Sequence, residues 1–109
     1  MELKRVVVTG LGALTPVGNN VAETWENLVK GISGAGPITH FDASKFKTQF
    51  ACEVKGFNGA DFIDRKEVRK MDLYTQYAIV AAKEAIADSE MDLEKEDLNK
   101  IGVIYGVGI

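Results

Sequence analysis

The 109 residues carry 46% hydrophobic and 27% charged side chains, a mixture that supports one packed domain and is too short for two. Thirteen Lys and Arg against sixteen Asp and Glu give a net charge of −3, which argues against a general nucleic-acid binder. A single cysteine, Cys52, and a single histidine, His40, exclude an internal disulfide and a metal site with His/Cys ligand spacing.

The apolar runs of the chain are short. The longest, residues 77–82, is far below the about twenty residues that a membrane-spanning helix needs. Residues 6–8 are likewise too few for the core of a signal peptide. We therefore expect a soluble, cytoplasmic protein without membrane insertion, in which electrostatic recognition comes from a local patch.

The first predicted element is a strand at 5–9, a run rich in β-branched residues that Gly10 ends. Because polar and apolar residues do not alternate in it, we expect it to be buried on both faces. A glycine-punctuated loop follows over 10–18, and a helix begins behind Asn19 or Asn20 as its N-cap. This helix ends at Gly31 and has one apolar stripe, formed by Val21, Trp25, Leu28 and Val29.

The middle of the chain is predicted to form a connection, a strand and a long helix. Residues 32–47 lack a clear period, and the alternation of Phe50, Cys52 and Val54 then indicates a half-buried strand. Asp64 and Glu67 resemble a capping box, which predicts a helix from there to about Ser89. Its centre, residues 77–82, is apolar all round and needs cover on every side.

The last part of the chain is predicted to hold an acidic surface segment and a final strand. Residues 89–99 are acidic, with a helical turn near 94–98, and residues 101–109 read as a strand that is apolar on both faces. A strand of this kind normally has partner strands and covering helices. We expect the chain to be the front part of a larger α/β protein.

The glycines after the first strand raise the hypothesis of a dinucleotide site. Gly10 and Gly12 fit the first two glycines of G-x-G-x-x-G, but the third position is Thr15 and Pro16 follows it. No acidic residue ends a second strand at the expected distance. The alternative is a turn whose glycines permit close packing.

Cys52 and His40 are the only candidates for nucleophilic catalysis. A cysteine nucleophile needs a base within hydrogen-bond reach, and the sequence does not place His40 beside Cys52. The alternation with Phe50 and Val54 favours a small core residue at Cys52. His40 is predicted to be a structural or surface residue.

Four cations cluster where the long predicted helix begins. Arg65, Lys66, Arg69 and Lys70 fall on neighbouring faces of the first turns, where like charges repel and the helix dipole favours anions. Asp61 and Glu67 are spaced to offset Arg65 and Lys70, so a solvated mixed face is one interpretation. The other is a docking patch for an acidic partner.

Several segments, taken together and in order, resemble the amino-terminal part of a bacterial β-ketoacyl-[acyl-carrier-protein] synthase of type II. They are Arg5-Val6-Val7-Val8-Thr9-Gly10-Leu11-Gly12, Thr15-Pro16-Val17-Gly18-Asn19, Ser33-Gly34, His40-Phe41-Asp42, Arg65-Lys66-Glu67-Val68-Arg69-Lys70-Met71-Asp72 and Gly106-Val107-Gly108-Ile109. The resemblance implies an α/β, thiolase-like fold with α-β-α-β-α layers in the complete enzyme, usually a homodimer. Residues 1–109 would open its N-terminal half, with the remainder of that domain absent from this chain.

The resemblance also implies an activity, a partner and site residues. Such enzymes elongate fatty acyl chains by decarboxylative condensation with malonyl carrier protein, and the resemblance implies no cofactor. Their nucleophilic cysteine and catalytic histidines lie downstream of residue 109, so the chain alone is expected to be inactive. Arg65, Lys66, Arg69 and Lys70 align with residues that help dock the acidic acyl carrier protein, and Ile109 aligns with a residue bordering the acyl-chain pocket.

Three alternatives remain open from the sequence. A polyketide-type ketosynthase is one, because acyl specificity is set mostly outside this part of the enzyme. A non-catalytic module that binds the carrier protein is another, and it would show binding without acylation. A small nucleotide-binding domain is the third, and the imperfect glycine spacing counts against it.

Overall fold

A computed structural model describes residues 1–108. Its helices are α1 (Val21–Val29), α2 (Arg65–Val68) and α3 (Leu73–Asp88), and its strands are β1 (Gly36–Pro37) and β2 (Phe50–Ala51). Two 3-10 turns cover Gly59–Asp61 and Leu98–Lys100. The strands pair antiparallel, with Gly36 opposite Ala51 and Pro37 opposite Phe50. None of the helices within this described part is long and apolar enough to cross a membrane.

The first helix forms where the sequence predicts it. The side chain of Asn20 caps α1 by accepting a hydrogen bond of 2.8 Å from the backbone N–H of Glu23. Gly31, with φ of +70°, ends the helix in a conformation that favours glycine. The apolar stripe of α1 is nevertheless exposed to solvent: Trp25 is 67% exposed and Val29 is 68% exposed.

The single helix predicted over 64–89 is wrong, because the chain forms two helices there. Asp64 does cap the first, accepting from the N–H of Lys66 at 2.8 Å. The chain then leaves the helix, and Asp72 in extended conformation precedes α3. Gln76, a buried polar residue of α3, donates its side-chain amide to the carbonyl of Met71 at 3.1 Å. This hydrogen bond satisfies a carbonyl that the interruption releases.

The backbone of helix α3 packs directly against the backbone of the glycine-rich loop. A Cβ atom on Gly12 would overlap the carbonyl oxygen of Ala81, and one on Gly10 would overlap that of Ala85. The small alanines of α3 and the two glycines therefore let backbone pack against backbone. This confirms the close-packing interpretation of the glycines.

Two carboxylates of α3 fasten that loop by accepting backbone hydrogen bonds. The N–H of Leu11 donates to Asp88 Oδ2 at 2.8 Å, and the N–H of Ala13 donates to Glu84 Oε2 at 2.9 Å. The other oxygen of Glu84 accepts from the N–H of Val21, at the start of α1, at 2.9 Å. Glu84 thus joins the loop, α1 and α3.

The strands predicted at 5–9 and 101–109 are absent from the described residues, which include 101–108 of the second. The predicted strand at 50–54 shortens to Phe50–Ala51, and Phe50 and Cys52 are exposed. A strand that is apolar on both faces needs hydrogen-bonded neighbours and covering layers, and residues 1–108 supply neither to these segments. The radius of gyration is 17.2 Å, larger than the about 13 Å of a globular domain near this size.

Candidate functional site

The four clustered cations lie on one exposed feature, which we call the basic helix: α2 with the two residues that follow it. Arg65 and Lys66 belong to its first turn, Arg69 is its C-cap residue and Lys70 comes next. All four residues are exposed. The cap at Asp64 and the preceding 3-10 turn fix where this helix begins, so the cations are presented together on an ordered backbone.

Only part of this charge is neutralised by neighbouring carboxylates. Lys70 Nζ lies 3.0 Å from Glu67 Oε1, as the sequence predicted. The predicted pairing of Asp61 with Arg65 is wrong, because Asp61 lies in a separate 3-10 turn and accepts weakly from the side chain of Asn58, at 3.4 Å. Over residues 1–108, Arg65, Lys66 and Arg69 make no ion pair. Three unpaired cations therefore stand on a chain whose net charge is −3.

Cys52 and His40 do not form a nucleophile and base. Cys52 is exposed, which corrects its prediction as a core residue; β2 ends at Ala51 before the alternating burial can continue. His40 is a surface residue, as expected, and its Nε2 faces Glu53 Oε1 at 3.8 Å. No hydrogen bond connects His40 to Cys52 in the described part of the chain.

The glycine-rich loop is not arranged to hold a phosphate. The backbone N–H groups of Leu11 and Ala13, which a pyrophosphate would require, are already bonded to Asp88 and Glu84. Both acceptors carry negative charge and would repel a phosphate group. The nucleotide-binding hypothesis therefore has no support in this geometry.

A carboxylate that sequence patterns did not single out organises the segment before β2. Glu53 accepts from the Thr39 hydroxyl at 2.7 Å and from the Thr39 backbone N–H at 3.0 Å. The Thr39 hydroxyl contributes most to holding the pKa of Glu53 below its ordinary value. Burial raises the pKa of nearby Tyr77, and the charge of Glu53 adds to that effect.

Acidification is therefore expected to remove a stabilising contribution from Glu53. A lowered folded-state pKa means that the contribution is present above the ordinary value of 4.5 and is lost as the pH falls through the folded-state value. Replacing Glu53→Gln should reduce the difference in thermal stability between about pH 6 and about pH 3. Glu94→Gln, whose side chain makes no hydrogen bond within residues 1–108, is the matched control. An unchanged pH profile in Glu53→Gln would contradict this account.

The remaining predicted site residue, Ile109, lies outside the described residues. Among those that are described, no group of three or more His, Cys, Asp or Glu side chains is placed to hold a metal ion. Within residues 1–108, the basic helix therefore remains the predicted site whose residues the structure brings together on an exposed surface.

Comparison with known proteins gives consistent results. Residues 3–109 match the family model for the β-ketoacyl synthase N-terminal domain. The 3-oxoacyl-[acyl-carrier-protein] synthase 2 of Staphylococcus aureus (strain COL) is 51% identical over 106 residues, which cover 97% of this chain and 26% of that protein. The protein of the same name from Synechocystis sp. is 46% identical over 109 residues, covering 100% of this chain and 26% of the relative. The chain therefore spans about a quarter of the length of these curated relatives.

Two solved structures share the fold. The ishigamide ketosynthase/chain length factor superposes with a TM-score of 0.73 at 36% identity, over 81% of this chain and 22% of that chain. A type II PKS acyl-carrier protein in complex with its ketosynthase bound to the hexaketide superposes with a TM-score of 0.63 at 30% identity, over 84% of this chain and 23% of that chain. These two superpositions confirm the prediction of a ketosynthase, thiolase-like fold.

Proposed function

The chain belongs to the β-ketoacyl synthase family, and we propose that it is the amino-terminal part of a 3-oxoacyl-[acyl-carrier-protein] synthase of fatty acid elongation. The observation that carries this proposal is the 51% identity to a synthase of that name over 97% of the chain. The proposed reaction joins an acyl group to a two-carbon unit from malonyl carrier protein.

The proposed chemistry uses an enzyme cysteine outside this chain. Its sulfur takes the acyl group from the carrier's phosphopantetheine thioester, and the carrier thiol leaves. Malonyl carrier protein then loses carbon dioxide, and the resulting carbanion attacks the acyl carbon and releases the cysteine thiolate. Splitting the reaction in this way makes each step easier, and backbone amides stabilise the oxyanion of each. Neither Cys52 nor His40 takes part.

We propose that this chain contributes carrier-protein docking through the basic helix. Arg65, Lys66 and Arg69 are exposed and unpaired within residues 1–108, and Lys70 lies beside them in a pair with Glu67. Complementary charge steers association and fixes the register of two partners. A ketosynthase that is 30% identical to this chain was solved in complex with its acyl-carrier protein. This similarity supports a carrier protein as the partner of this chain as well.

Further features of the complete protein belong to the same proposal. We propose the α-β-α-β-α layers of the thiolase-like fold, a homodimer, a cytoplasmic location, and a place for Ile109 at the border of the acyl-chain pocket. The open apolar residues Trp25, Leu28 and Val29 and the extended radius of gyration support packing of this part against further protein layers.

A polyketide-type ketosynthase is the second candidate. It is favoured by one of the solved structures, the type II PKS complex, whose chain is 30% identical. The fatty-acid assignment rests on higher identities, 51% and 46%, over nearly the whole chain.

A condensation assay tests the proposed function. The complete protein, given an acyl carrier protein thioester and malonyl carrier protein, should release carbon dioxide and form one 3-oxoacyl product. The 109-residue chain alone should form none, and Cys52→Ser in the complete protein should leave the rate within about twofold, because Cys52 does not bond to the reacting groups. Repeated extension to a poly-β-ketone would instead support the polyketide candidate. Product from the chain alone, or loss of activity in Cys52→Ser, would contradict the account.

A further inference from the structure

The side chain of Lys55 connects three separate segments of the chain. Its Nζ atom donates hydrogen bonds to the backbone carbonyl oxygens of Gly34 at 2.7 Å, Glu53 at 3.0 Å and Pro16 at 3.1 Å. Pro16 lies in the glycine-rich loop, Gly34 lies between α1 and β1, and Glu53 follows β2. Because an ammonium group has three N–H donors and no acceptor, main-chain oxygens use its full hydrogen-bonding capacity.

Packing of the main chain brings these carbonyl oxygens together. A Cβ atom on Gly34 would lie 2.7 Å from the Cβ of Pro16, so the two segments touch directly. The side-chain amide of Asn19 donates to the carbonyl of Lys55 at 2.9 Å and ties the segment after β2 to the end of the glycine-rich loop. Within residues 1–108, none of the three oxygens accepts a hydrogen bond from another group. Three carbonyl dipoles therefore face the Nζ position with the ammonium group as their partner.

We infer that the carbonyl oxygens of Pro16, Gly34 and Glu53 form a binding site for a small ammonium cation, which Lys55 fills from within the chain. Several backbone carbonyl oxygens around one point replace the hydration shell of a monovalent cation. Lys55 is exposed, so a free cation can enter this position from solvent once the lysine stem is removed. The site joins the glycine-rich loop to the segments beside the two strands, and it does not depend on carrier docking at the basic helix.

Two substitutions in the complete protein separate the ammonium group from the lysine stem. Lys55→Ala removes both and opens the space between the three oxygens, whereas Lys55→Met keeps most of the stem and ends it in a methyl group beside that space. Each removes hydrogen bonds from a charged donor and is expected to lower the melting temperature by about 2–4 °C.

Ammonium chloride is the probe for the open site. It is expected to restore part of the lost melting temperature in Lys55→Ala, increasingly with concentration, because a ligand that binds only the folded protein stabilises it. Lys55→Met should not recover, because its methyl group blocks the position. Tetramethylammonium chloride at equal concentration controls for ionic strength and chloride, since its nitrogen carries no N–H donor.

The outcomes distinguish a cation site from a general effect of salt. Recovery confined to Lys55→Ala in ammonium chloride supports the site. Equal recovery in both variants or with both salts, or no recovery in Lys55→Ala, overturns it, as does an unchanged melting temperature in both variants. A Lys55→Ala protein too unstable to melt is refolded from urea in each salt, and refolding supported equally by the two salts overturns the site. Because every readout is stability without carrier protein, failure here leaves the proposed function untouched.

Discussion

Reversing two charges on the basic helix, Lys66→Glu with Arg69→Glu, is expected to weaken carrier-protein binding to the complete synthase by at least about tenfold, or about 1.4 kcal/mol. Both cations are exposed and unpaired within residues 1–108, so reversal turns two attractive contacts with an acidic partner into repulsive ones. Titration calorimetry at several salt concentrations measures the effect. The affinity of the variant should depend less steeply on salt than that of the parent, because fewer attractive charges remain to be screened.

A second double reversal provides the control for net charge. Lys45→Glu with Lys47→Glu makes the same change in charge on an exposed loop away from the basic helix in sequence. We expect it to leave affinity within about twofold, as for surface charges outside an interface. Equal losses in both double variants would mean that net charge alone drives binding. An unchanged affinity in the basic-helix variant would mean that the basic helix is a solvated surface that does not bind the carrier protein.

Adding one methyl group at Gly12 is expected to destabilise the protein strongly. The new Cβ in Gly12→Ala would overlap the carbonyl oxygen of Ala81, and a backbone group of a helix cannot yield as a flexible side chain can. Overpacking of this kind costs about 1–3 kcal/mol. The shift would also strain the hydrogen bonds from Leu11 to Asp88 and from Ala13 to Glu84. Chemical denaturation of the complete synthase measures the loss.

Gly36→Ala is the matched control for this substitution. Among residues 1–108, no atom other than those of Gly36 and its two chain neighbours lies within 4 Å of a Cβ placed on Gly36, and its φ does not fall in the left-handed region. Its effect should remain within about 0.5 kcal/mol, as for surface substitutions away from special features. A Gly12→Ala protein as stable as the control would show that the loop does not press on α3 as described.

Local signals in the sequence predict local structure well in this chain. The Asn20 cap, the stop at Gly31 and the cap at Asp64 each depend on a side chain and a backbone within a few residues, and all three form. At the interruption before Asp72, the buried amide of Gln76 donates to the carbonyl of Met71. No glycine or proline marks that position, so periodicity predicted one continuous helix.

Features that depend on distant partners were predicted less well. The segments at 5–9 and 101–108 have the composition of buried strands, but hydrogen-bonded neighbours decide whether a strand forms, and none pairs with them in the described residues. Glu84 joins loop, α1 and α3 through hydrogen bonds to positions more than sixty residues away, for which short-range patterns carry no signal.

The candidate site was found because its residues are close in sequence. Four cations within six positions are visible without a structure. Of the two ion pairs that the spacing predicts, Lys70 with Glu67 forms within one helical turn, whereas Asp61 and Arg65 belong to different elements and do not pair. A shallow depression lined by Asn58, Ala60, Arg65, Val68 and Arg69 lies where the 3-10 turn adjoins α2, and no pattern in the sequence indicates it.

Hydrogen–deuterium exchange of the complete synthase, with and without acyl carrier protein, tests the central claim most directly. Docking at the basic helix predicts that the carrier slows exchange in peptides covering residues 58–70, while peptides covering α1 exchange as before. Slowed exchange elsewhere, with residues 58–70 unaffected at saturating carrier protein, would contradict the account.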